Sequence, residues 1–105
     1  MNPIAKLIQK IKIESITKMD DSDKVKKVKK IEKDEELKSI ILSIEDKQKR
    51  AKAFKESLHK IDDKDVIKKI MPTLKDDDIV NILDTKEKYL DSGKRNMLYT
   101  KKLSI

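Results

Sequence analysis

One glycine, Gly93, in 105 residues constrains the chain more than any other feature of it. Tight hairpins and phosphate-cradling loops both rely on glycine, because they need a positive φ or a close backbone approach. Hairpin-rich β architecture and the glycine-rich nucleotide folds are set aside on that ground. Fifteen Ile, nine Leu, four Val and four Met supply a modest core even though 45% of residues are charged. The expected fold class is all-α, a small irregular bundle of about four to six helices with one long central helix. Residues 1–92 read as a single helical domain and residues 93–105 as a basic C-terminal tail.

Asn2 and Pro3 read as an N-cap and a first helical position, and Ile4, Leu7, Ile8 and Ile11 follow at helical spacing. A first helix over residues 3–17 is expected, with that stripe packed in the core. Lys6, Lys10 and Lys12 on its other side would also suit a peripheral membrane anchor, but Trp and Phe are missing from the segment. Ile13 and Ile16 fall off the stripe, so the far end is either buried on two sides or not helical. Asp20, Asp21, Ser22 and Asp23 form a polar break, and a second helix should begin near Asp23. From Lys24 to Lys33 the chain holds six Lys and one Glu, with Val25, Val28 and Ile31 as a thin apolar edge to a solvated lysine face.

The clearest periodicity runs through Leu37, Ile40, Ile44, Ala51, Phe54, Leu58 and Ile61, broken only at Lys47. Its 3-4 spacing gives one continuous apolar seam and favours one long helix over residues 34–61. Ser43 with Asp46 three residues on resembles a capping box, which leaves two helices joined near Ser43 as the other reading. Further on, residues 61–70 echo residues 74–83 at an offset of 13, each with an apolar lead, acidic residues and then apolar positions in register. Pro72 separates the two copies and ends the first. One echo falls short of a repeat protein, which needs about three stacked units. The tail carries Gly93 as a helix stop, then Lys94, Arg95, Met97, Leu98, Tyr99, Lys101 and Lys102. It either returns over the core as a short strand or helix, or stays free until a partner orders it.

Site chemistry is sparse. Without Cys there is no disulfide, thiolate nucleophile or zinc-thiolate site, and a reducing compartment is permitted, so the expected location is cytoplasmic. No apolar run reaches the roughly 20 residues that cross a bilayer. The lone His59 should face solvent, and Ser57, two residues away on a helix, points elsewhere. One His and no Cys offer too few ligands for a transition metal. The acidic clusters Asp62, Asp63, Asp65 and Asp76, Asp77, Asp78 lack EF-hand spacing and suit helix N-termini. No metal and no cofactor is expected.

The formal charge of +7 raises nucleic acid as a partner, but 25 of the 27 basic residues are Lys, as a biased codon supply would also produce. Residues 1–60 carry 17 basic and 11 acidic side chains, residues 61–91 six and nine, and the tail adds four basic ones. Such a dipolar chain can associate with itself or be steered to a partner of mixed charge. The favoured function is a non-enzymatic helical interaction module that binds another protein or itself, with Tyr89, Met97, Leu98 and Tyr99 as candidate contacts. The alternative is a nucleic-acid accessory protein that grips phosphates through Lys26, Lys27, Lys29, Lys30, Lys49, Arg50, Lys52 and Lys55 without reading bases.

Overall fold

The computed structural model describes residues 3–103, and the side chains of residues 3–100. Asn2, read as an N-cap, and the side chains of Lys101 and Lys102 lie outside the described residues. Among the described residues the chain is all-α, with seven α-helices rather than four to six: α1 Pro3–Thr17, α2 Asp21–Lys27, α3 Asp34–Ser43, α4 Lys47–Ser57, α5 Lys64–Ile70, α6 Asp76–Lys86 and α7 Ser92–Leu103. 3-10 turns follow α2 (Val28–Lys30), α4 (Leu58–Lys60), α5 (Met71–Thr73) and α6 (Glu87–Tyr89).

The seam is real but the long helix is not. Leu37, Ile40, Ile44, Phe54, Leu58 and Ile61 are fully buried and Ala51 nearly so. Yet α3 stops at Ser43, Ile44 is extended at φ −73° and ψ 119°, and α4 restarts behind Asp46, whose carboxylate accepts the Lys49 N–H at 3.0 Å. The break has a physical cause. Burying Ile44 in an extended conformation turns the chain, and Asp46 then satisfies an orphan N–H of the next helix. Lys47, the one misfit in the seam, is exposed at the first position of α4.

That joint recurs. Ile31, Ile44, Ile61, Leu74 and Leu90 each sit extended between two helical segments, and all five are buried. Between the first and third, and between the second and fourth, the distance is 30 residues, so residues 31–44 superpose in sequence on residues 61–74. Leu37 matches Ile67, Ile40 matches Ile70, and Ile41 matches Met71, every one of them buried. Even a polar detail repeats: the Ser43 hydroxyl donates to the Ile40 carbonyl and that of Thr73 to the Ile70 carbonyl, both at 2.6 Å. The 13-residue echo reflects the spacing of two successive joints inside one larger unit.

The helices form two layers, α1, α3 and α5 side by side in one, α2, α4 and α6 in the other, with α7 packed on α6. The body measures 45 × 27 × 20 Å, as expected for tiers about 10 Å apart stacked in chain order. Lysines stitch successive tiers. Lys60 Nζ donates to the Val28 carbonyl at 2.7 Å, and Lys94 Nζ donates to the Leu58 carbonyl at 2.8 Å, each cation satisfying the 3-10 turn of the preceding tier. Carboxylates add to this: Asp34 accepts the N–H groups of Asp62 and Asp63, and Asp21 those of Glu45 and Asp46.

Three further expectations are corrected. Gly93 does not stop a helix but lies in the first turn of α7 without a positive φ. A Cβ there would stand 2.5 Å from Lys64 Cε, so the glycine admits the Lys64 side chain. The second helix starts at Asp21 rather than near Asp23, because Asp20 is extended at φ −62° and ψ 152° and its carbonyl accepts the Lys24 N–H at 3.0 Å. Finally, the stripe Ile4, Leu7, Ile8 and Ile11 is not in the core; all four residues are more than half exposed. Instead α1 packs on α3 through Ile13 and Ile16, with Gln9 Nε2 donating to Glu36 at 2.8 Å. A first helix in a layer has a neighbour on one side only, so one of its two apolar faces stays open.

The Asp21 bonds make stability depend on acid. Its carboxyl is held below the usual carboxylate range, first by the Asp46 N–H, against a smaller effect of desolvation, and further by the Glu45 N–H and Lys24. A folded-state value below the unfolded one, about 3.9, adds stability that is fully present above that pH and is lost as pH falls through the folded value. Urea midpoints recorded from pH 6 down to pH 2 should therefore fall less steeply below about pH 4 in Asp21→Asn than in the parent chain.

Candidate interaction surface

The open face of α1 is built by helical arithmetic. At about 100° per residue, Ile4, Leu7, Ile8 and Ile11 fall within one sector, and Gln9, Ile13 and Ile16 fall on the opposite side, against α3. Lys12 borders the stripe on one flank, Glu14 and Lys10 on the other. α1 has no acidic residue before Glu14, and its N-terminal turn has none.

The next helix continues this end of the body. α2 directs Lys24, Val25 and Val28 inward and packs on α4. The Lys24 side chain is buried, its ammonium donating to the Ser43 carbonyl at 2.8 Å, where α3 leaves orphan acceptors. Turned the other way are Met19, Asp23, Lys26 and Lys30, all exposed, with Asp20 beside them. Thus the end of the stack presents an apolar stripe from α1 and, from α2, a band that is acidic at one end and basic at the other. Beside the stripe, an open groove of about 490 Å³ runs between α1 and α3, lined by Lys6, Gln9, Lys10, Ile13 and Glu35 among others.

The residues singled out from sequence as partner contacts divide. Tyr89 is exposed, with the Lys86 and Lys88 ammonium groups 5.8 and 5.3 Å from its ring centre, and borders a smaller groove with Lys55 and His59. Met97 and Tyr99 are half-buried against the core, and the Tyr99 hydroxyl donates to Glu87. Leu98 is fully buried, so it holds α7 to the body and offers nothing to a partner. The segment returns as a helix because Leu98 and the buried Lys94 both anchor it.

The eight basic candidates do not form one free bank. Arg50 is committed to the fold: Nε and Nη2 donate to the Ile44 carbonyl at 2.8 and 2.6 Å, and Nη1 to the Thr73 carbonyl at 3.1 Å. Its planar fork ties two equivalent joints together, a task that Lys could not copy. Lys55 donates to Asn81, and Lys29 lies 3.9 Å from Glu56. Lys26, Lys30, Lys49 and Lys52 are exposed and Lys27 half-buried, but Lys26 and Lys30 face away from the α2–α4 contact.

The Ser57 hydroxyl is fully buried and has no hydrogen-bond partner, while His59 is exposed. Asp63 caps α5 by accepting the Asp65 N–H, and Asp76, Asp77 and Asp78 fill the first turn of α6. Among the described residues no group of three His, Cys, Asp or Glu side chains is placed to hold a metal ion, and no helix is long and apolar enough to cross a membrane.

Sequence reasoning found the stripe and misjudged its use. It missed the α2 band, for which the signal was present: acidic residues at 20 and 23 are followed at three- and four-residue spacing by basic ones at 26 and 30. Comparison with family models, with curated proteins and with solved structures finds no match to this chain.

Proposed function

We propose that the chain is a non-enzymatic interaction module that docks another protein or a second copy of itself through the α1–α2 end of its helical stack. One observation carries this reading: four adjacent Ile and Leu side chains on α1 are more than half exposed in a chain whose other large apolar residues are mostly buried. Soluble monomers rarely leave contiguous apolar surface without a use, and the ends of helical stacks ordinarily carry a polar outer face. An apolar end is what a stack needs when something else completes it. Tiered helix pairs also suit binding rather than chemistry, since they display surface without enclosing a pocket.

The nucleic-acid reading has less support, because Arg50, Lys29 and Lys55 are engaged by other parts of the fold. Site-specific photo-crosslinking in cells that produce the chain tests the docking reading. A crosslinking side chain at position 7 should yield a discrete adduct, whereas one at position 84, exposed on α6, should yield none. Equal labelling from both positions, or none from position 7, would refute it.

A further inference from the structure

The end face has a property beyond being exposed: the apolar pattern of α1 reads the same in reverse, and the charges along the α2 segment invert in sign. On α1 the apolar positions are 4, 7, 8 and 11, so an antiparallel copy brings Ile4 against Ile11 and Leu7 against Ile8. On α2 the exposed Asp23 and Lys26 are flanked by Asp20 just before the helix and Lys30 in the 3-10 turn after it, so an antiparallel copy brings acids against lysines. A two-fold contact requires a patch complementary to itself, and α1 and the α2 segment each meet that requirement when reversed. We propose that the α1–α2 end face pairs with the same face of a second copy across a two-fold axis, α1 on α1 and α2 on α2, each antiparallel.

This proposal rests on the docking reading and names its partner. Continuity favours it, because the partner's α1 takes the place of the missing neighbour in the α1, α3, α5 layer. The face is of mixed charge, with Lys10, Lys12, Lys26 and Lys30 against Glu14, Asp20 and Asp23, which suits a copy of itself better than a uniformly anionic lipid surface. Area sets its strength. An end of 27 by 20 Å offers on the order of 500 Å² per copy, near the lower limit of specific interfaces, so the dimer is reversible and of modest affinity. The net charge of +7 on each copy opposes approach, but salt screens it beyond about 8 Å while the facing charges remain in contact.

Sedimentation equilibrium of the full chain up to about 0.5 mM, a range in which weak pairs still form, provides the test. The weight-average mass should climb from 12.3 kDa toward twice that value. Ile8→Glu should weaken association at least about tenfold with an unchanged circular dichroism spectrum, since Ile8 is exposed. Asp23→Lys and Lys26→Asp should each weaken it, and the two together should restore it, which no purely structural role of either residue predicts. A chain monomeric throughout, or a dimer indifferent to Ile8→Glu, would overturn the proposal. If the chain is monomeric but floats with phosphatidylserine vesicles in a manner abolished by Ile8→Glu, the occupant is a lipid surface, and both the pairing and the protein-docking reading are overturned. A monomer whose position 7 still crosslinks to a different protein overturns the pairing alone.

Discussion

Ending the chain after Ser92 should destabilise it by more than about 3 kcal/mol and lower its melting temperature by more than about 10 °C. Leu98 is fully buried, and removing such a side chain alone costs about 2 to 5 kcal/mol in a well-packed core. The truncation also takes away Lys94, whose ammonium donates to the Leu58 carbonyl, and uncovers the side of α6 on which α7 rests. Thermal and urea unfolding followed by circular dichroism would measure the loss. Leu98→Ala serves as the milder companion, expected to reproduce a large part of it while leaving α7 in place. A truncated chain that melts within about 2 °C of the parent would show that α7 adds no packing.

Phe54→Ala should cost about 3 to 5 kcal/mol, the largest effect expected of any single truncation in this core. Phe54 is the one phenylalanine of the chain, is fully buried on α4, and sits in the middle tier. A cavity in that tier cannot be filled from solvent, and its neighbours above and below are themselves held by the tiers beyond them. Since domains of this size are stable by about 5 to 15 kcal/mol, the variant should be partly unfolded at 37 °C. The urea midpoint and the amide exchange of α4 report it directly, and a change below about 1 kcal/mol would mean that the surrounding helices close around the gap.

How far the fold was legible depends on which residues carried each signal. The scarcity of glycine and the spacing from Leu37 to Ile61 gave the helical class and the buried flank, because both act through local geometry and burial that periodicity reports directly. The same spacing concealed the joint at Ile44. A buried isoleucine in extended backbone keeps an apolar register as well as a helical one does, and only Lys47 and the Ser43 and Asp46 pair marked the difference. The 30-residue unit was hidden because its nearest resemblance, between residues 61–70 and 74–83, is between two halves of the unit rather than two copies of it. The stripe on α1 was visible, but its destination was not. Whether an apolar face meets the protein's own core or another molecule depends on how many neighbours the helix has, and that is a property of the whole stack.

The same lysine-to-carbonyl stitch at Val28 and Leu58 has a consequence for how such a chain can change in length. Its two acceptors lie 30 residues apart and its two donors 34, so each tier grips the turn before it in the same manner from a slightly different position. A duplicated block covering residues 31–60, inserted ahead of Ile61, would bring a second Lys60 to the Leu58 carbonyl as the present one meets that of Val28.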